Sequence, residues 1–158
     1  MILLPFFDPV VLHILKVVCE VDWPVPVEIK FHPGTEERKY KQWTSEKFVI
    51  TNKTLLELLP RVRLVVGRSG GQLEAAAFGI PVIDICLPDE FSQSYMPEMG
   101  QGVLWDQAVD ARSVTRLVSR FQKSLQFNSS LLKEEGARLR STYFTNPTND
   151  FISEAFQL

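Results

Sequence analysis

Residues 64–85, LVVGRSGGQLEAAAFGIPVIDI, read as strand, glycine turn, helix, glycine-proline and strand. The apolar run ending at Gly67 suits a strand buried on both faces. GRSGG breaks it, QLEAAAF follows as helix formers, and Gly79-Ile80-Pro81 turns the chain into a second apolar run, PVIDI. Pro81 at the first residue of that strand is tolerable. A glycine turn between a strand and a helix often holds a phosphate.

The same alternation continues outward on both sides. Ile2–Phe6 reads as a first buried strand. Asp8-Pro9 reads as a helix start with Asp8 as cap, and Val11, Ile14, Leu15 and Val18 recur at helical spacing. DWPVP is a turn and Val27–Phe31 a second strand, followed by the loop HPG. TEERKYKQW reads as a polar helix with acids first and bases last. KFVIT is a third strand, and Asn52 is expected to cap the helix KTLLELL, which ends near Pro60.

After PVIDI, the sixteen residues 87–102 form a loop of the length that usually carries function or mobility. GVLW is expected to be a sixth strand. Asp110 caps a helix whose face carries Val114, Leu117, Val118, Phe121 and Leu125, a further helix spans Ser129–Tyr143, and NPTNDFISEAFQL closes the chain helically. Strands alternating with helices predict an α/β fold. The expectation is a doubly wound, Rossmann-like parallel sheet of about six strands, with helices on both faces, as one domain over residues 1–158.

Composition narrows the function. Hydrophobic residues make up 45% and charged residues 23% of 158, values of an ordinary globular chain, and the net charge of −2 offers no bulk attraction to nucleic acid or anionic membrane. No nucleic-acid-binding motif occurs. The apolar start is interrupted by Asp8, His13, Lys16 and Glu20 and broken by Pro5 and Pro9, which speaks against a signal or anchor. Cys19 and Cys86 lie in apolar runs and read as free thiols. A cytoplasmic setting is expected, with at most peripheral membrane association through a partner.

In an open parallel sheet, ligands bind beyond the carboxyl ends of the strands. Three loops leave such ends: FFDP, FHPG and GRSGG. In the last, the backbone N–H groups of Gly70, Gly71 and Gln72 are expected to face an anion, with Ser69 adding a hydroxyl donor and Arg68 a charge. The alternative is that Ser69 caps the helix and the glycines ease a tight turn. Glu74, about one turn into that helix, is placed to accept hydrogen bonds from a ribose diol, or is simply a solvent-facing acid. His32 follows a strand directly, with Lys30 two residues earlier and Pro33 holding the turn, so it is placed to bond a phosphate or to serve only structure. Asp8 reads as a cap rather than a base. No DxD and no His/Cys ligand cluster occurs, so neither a metal nor another cofactor is expected.

EIKFHPG followed by RVRLVVGRSGGQLEAAAFGIPVIDI resembles the C-terminal, nucleotide-sugar-binding half of GT-B glycosyltransferases, closest in flavour to those that build bacterial surface or capsular polysaccharide. HP-motif sialyltransferases, CDP-glycerol glycerophosphotransferases and UDP-N-acetylglucosamine 2-epimerases share the pattern. The resemblance implies that the small-residue turn binds the donor's phosphates and that Glu74, five residues before Gly79, binds the ribose. It also implies that His32-Pro33 corresponds to the HP motif, with His32 in the catalytic role of stabilising charge on the leaving phosphate. MGQGVLWD and STYFTNPTNDFISEAF resemble the family's closing segments. HP-motif sialyltransferases carry two serines where Ser69 and Gly70 stand, which points away from a CMP donor.

The resemblance further implies an acceptor-binding N-terminal domain or separate subunit as partner. A chain that begins directly on a strand is expected to be a piece of a longer enzyme. Tyr95, Met96 and Met99 are candidates for contact with that partner, or else pack on their own core. Two other readings stand beside this one: half of a nucleotide-sugar epimerase or hydrolase, and a non-catalytic interaction domain on the same scaffold. A flavodoxin or response-regulator reading fits less well, because PFFDP offers a single acid after the first strand.

Overall fold

A computed structural model describes residues 1–87 and 94–144. The expected closing helix falls in 145–158, and part of the long loop in 88–93; both lie outside the described residues. Six strands form one sheet: β1 (Ile2–Leu3), β2 (Val27–Lys30), β3 (Phe48–Ile50), β4 (Val65–Gly67), β5 (Val82–Ile85) and β6 (Trp105–Ala108). Their order is β3-β2-β1-β4-β5-β6 and every pairing is parallel. The helices are α1 (Asp8–Cys19), α2 (Leu55–Leu58), α3 (Gly71–Ala77), α4 (Ala111–Phe127) and α5 (Ser129–Tyr143).

The doubly wound reading holds because successive strand residues feed two cores. Ile2, Leu4, Val66, Ile83 and Ile85 pack with α1 and α4 on one face. Leu3, Val65 and Val82 pack with α3 and α5 on the other. Period-two alternation sends neighbours to opposite faces, so apolar residues are needed at every position of β1, β4 and most of β5. On α1, Val11, Ile14, Leu15 and Val18 are all buried, as their spacing predicts.

Two glycines set how closely these layers meet. Gly67 has φ +149°, and a Cβ there would overlap the carbonyl oxygen of Leu3 on the adjacent strand. Gly136 of α5 lies so near the α3–β5 turn that its Cβ would stand 2.5 Å from the Gly79 nitrogen. Gly67 and Gly136 therefore serve packing, and on the other side of that contact a Cβ on Gly79 (φ +75°) would stand 3.1 Å from the Leu132 carbonyl oxygen.

Several local expectations differ. Asp8 is the first residue of α1 rather than its cap, and its carboxylate accepts from Tyr40 Oη at 2.6 Å and from Lys39 Nζ at 3.4 Å. Glu37–Trp43 is a 3-10 helix rather than an α-helix. Thr54, not Asn52, caps α2, through a reciprocal capping box with Glu57. GVLW is not the sixth strand. Gly100 and Gly102, with φ of +78° and +80°, make a turn there, and the strand is Trp105–Ala108. Asp110 does cap α4, reciprocally with Ser113, and α5 spans the expected residues.

Candidate functional site

The strand order reverses between β1 and β4, and such a switch point opens a crevice at the carboxyl ends of the strands. Leu3 is in register with Lys30 of β2 and with Gly67 of β4. The loops after β2 and β4 therefore flank the loop after β1, two strand spacings or about 10 Å apart. His32 leaves one side of this crevice and Ser69-Gly70-Gly71 the other.

The turn after β4 is braced from beneath. Gln72 is fully buried: its Oε1 accepts from the Ser69 N–H at 2.9 Å, and its Nε2 donates to the carbonyls of Gly67 at 3.0 Å and Ile83 at 3.4 Å. Its own N–H donates to the Ser69 carbonyl at 3.0 Å, and the Leu73 N–H to the Gly70 carbonyl at 3.2 Å. Among the described residues this leaves the N–H groups of Gly70 and Gly71, and the hydroxyl of Ser69, without a hydrogen-bond partner. Gly70, not Ser69, occupies the N-cap position of α3, which has no side-chain cap.

The two glycines differ in kind. Gly70 is exposed, has ordinary right-handed helical angles (φ −54°, ψ −32°), and a Cβ on it would meet nothing within 4 Å. Neither backbone strain nor packing demands glycine there. A Cβ on Gly71 would stand 2.9 Å from Leu55 Cδ2 and 3.4 Å from Leu3 Cδ1, so a larger residue there would push the Leu55 side chain aside.

Arg68 is turned inward. It is 5% exposed, donates to the Ile85 carbonyl at 3.1 Å, and lies 3.9 Å from the carboxylate of the fully buried Asp84, which also accepts from Ser94 Oγ at 2.7 Å. Burial is the main cause pushing the neighbouring Cys86 thiol upward from its ordinary range, with the Asp84 charge adding to it. Arg68 and Gln72 thus tie the turn to the ends of β4 and β5. Glu74 is half-buried on α3, and among the described residues its carboxylate has no hydrogen-bond or ion-pair partner.

His32 begins a β-turn with Pro33 second, closed by the Thr35 N–H on the His32 carbonyl at 2.9 Å. Its Nδ1 accepts from the Gly34 N–H at 3.1 Å, so the neutral imidazole carries its proton on Nε2. The exposed ring therefore presents a donor outward. Lys30 Nζ gives one proton to the Lys53 carbonyl at 2.7 Å, joining the loops after β2 and β3, and keeps two for another acceptor. That tether was not legible in the sequence, because nothing in the spacing links Lys30 to position 53.

Of the long loop, Met96 is buried in the α3-side core and Met99 packs against it, whereas Tyr95 is 57% exposed. Asp8 is held below the usual carboxylate range chiefly by the Tyr40 hydroxyl, with Lys39 helping, and burial with Asp8 beside it pushes Tyr40 up to about 12. At neutral pH Asp8 is therefore ionised and Tyr40 protonated, and neither is poised to exchange a proton. A cavity of about 680 Å³, lined mostly by apolar residues such as Trp23, Val27, Leu64 and Phe121, opens at the amino ends of the strands, the opposite end of the sheet from the turn. Among the described residues, no helix is long and apolar enough to cross a membrane, and no group of three or more His, Cys, Asp or Glu side chains is placed to hold a metal.

Sheet order and crevice define a Rossmann-like, doubly wound α/β scaffold. No protein-family model and no curated protein matches the chain. Among solved structures it is similar to Anabaena HepE in complex with UDP-glucose, with TM-score 0.69 at 12% identity over 99% of this chain and 48% of that one. HepE in complex with UDP and glucose gives 0.65 at 14% over the same shares, and TarM gives 0.52 at 15% over 99% and 34%. The chain therefore spans about half the length of HepE and a third of TarM, and at these identities the likeness is one of fold.

Proposed function

We propose that this chain is the nucleotide-sugar-binding half of a glycosyltransferase. The carrying observation is Gly70: an exposed glycine at the switch point, required by neither conformation nor packing, beside two N–H groups left without acceptors. Its missing side chain leaves room for a phosphate to reach the backbone. HepE, which shares the fold, was crystallised with UDP-glucose, and this supports the same ligand class here.

In this reading the N–H groups of Gly70 and Gly71 and the Ser69 hydroxyl hold the diphosphate. His32 Nε2–H donates to it from the other side of the crevice, Lys30 contributes charge, and Glu74 accepts from the ribose. Arg68, Gln72 and Pro33 fix the two loops. These donors are in place before reaction and lie where negative charge grows as the nucleotide leaves, so they lower the barrier without reorganising. The acceptor and its base come from a second domain or subunit, and this chain does not turn over alone. Synthesis of surface polysaccharide in the cytoplasm, with the chain as the C-terminal half and no metal required, is the setting its motifs fit best.

Gly70→Val tests the reading. The position is exposed and a Cβ there meets no protein atom within 4 Å, so the fold should stand, while phosphate access closes. Calorimetry should show a nucleoside diphosphate binding the parent and not the variant; equal binding by both would remove the turn from the site.

A further inference from the structure

Between the two arms of the crevice lies the loop leaving β1, and it carries two phenyl rings in water. Phe6 is 59% and Phe7 65% exposed. Phe6 is seated: its ring meets that of His32 edge-on with centroids 5.6 Å apart, and a Cβ on Gly34 would stand 3.1 Å from its Cε2. Phe7 fills the N-cap position of α1 without any side-chain cap bond. Ser, Thr, Asp or Asn there would stabilise the helix, so local stability does not explain the residue. Two adjacent exposed aromatics at a ligand crevice mark a contact surface.

The position of Glu74 decides which part of a ligand reaches them, on the reading of the turn as a diphosphate site. Glu74 belongs to α3 on one face of the sheet, whereas Phe7 opens α1 on the other. A nucleoside whose ribose meets Glu74 lies toward the α3 face. The group on the far side of the diphosphate then leaves toward α1. We propose that Phe6 and Phe7 form the shelf on which the donor's sugar ring packs its C–H face, a contact that adds affinity for the sugar without a hydrogen bond.

Titration of the parent, Phe6→Ala and Phe7→Ala with UDP and with UDP-glucose tests this. UDP-glucose affinity should fall about fivefold or more in the variants, the scale of a lost aromatic contact, while UDP affinity holds in Phe7→Ala. Phe6 also seats His32, so Phe6→Ala is read as the loss for UDP-glucose beyond its loss for UDP. In saturation-transfer NMR, the glucose protons should lose signal in Phe7→Ala and the uridine protons keep theirs. In Phe7→Ala, equal losses for both ligands, or none, would overturn the shelf and leave the diphosphate site intact. A parent that binds none of UDP, CDP, GDP and ADP would count against the diphosphate site itself, and the shelf with it.

Discussion

Replacing Gln72 by leucine is the sharpest test of how the turn is built. The side chain is fully buried and makes three hydrogen bonds, two of them at 3.0 Å or shorter. Leucine of similar size fills the space but strands the Ser69 N–H, while Gly67 and Ile83 lose a donor to their carbonyls. A buried polar group left unmet costs about 1–3 kcal/mol, and the two good bonds make a total of about 2–4 kcal/mol reasonable. That is a large part of the roughly 5–15 kcal/mol that holds a domain together. For this length it should lower Tm by about 5–15 °C, read by circular dichroism melting. A loss below about 0.5 kcal/mol, the level of a neutral surface change, would refute the brace. Gln72→Glu sharpens the point, since a carboxylate facing the Gly67 and Ile83 carbonyls should be worse at pH 7 than at pH 4, where the acid form can donate.

Other substitutions separate packing from site. Gly70→Ala should change unfolding free energy by less than about 0.5 kcal/mol, because its Cβ meets nothing. Gly67→Ala, whose Cβ overlaps the Leu3 carbonyl oxygen at φ +149°, should cost at least about 3 kcal/mol or abolish folding. Gly136→Ala should cost about 1–3 kcal/mol in urea melts by forcing α5 away from the Gly79 turn. In acid, the depressed Asp8 carboxyl contributes stability that is present above the unfolded carboxylate range and is lost as pH falls through its folded value. Tyr40→Phe removes the main cause, so the parent's advantage over it should shrink as pH drops; an advantage constant with pH would show that the hydroxyl acts otherwise.

What could be read in the sequence depended on how local the physics was. The buried strands and the long helices announce themselves by periodicity, and α5 appears where its pattern lies. The sixth strand was misplaced because Val103-Leu104-Trp105 is the more apolar run. The true strand, WDQA, is an edge strand whose middle residues need not be buried. Thr54 outcompetes Asn52 as cap because Glu57 stands three residues beyond it and completes the box. At the site, the turn's residues were legible but the division of labour was not. Arg68 and Gln72 carry polar groups suited to a ligand, and only the fold shows them spent on Ile85, Gly67 and Ser69. The outward Nε2 proton of His32 likewise follows from the Gly34 N–H meeting Nδ1, a contact fixed by the turn.

The measurement that bears most directly on the central claim is a thermal-shift and calorimetric titration of the chain with UDP, CDP, CMP, GDP and ADP, with Glu74→Gln in parallel. A nucleotide site predicts that one diphosphate stabilises the fold, by about 2.7 kcal/mol when free ligand reaches 100 times Kd, and that Glu74→Gln weakens the effect while melting like the parent. No shift with any of the five, or a shift untouched by Glu74→Gln, would contradict it.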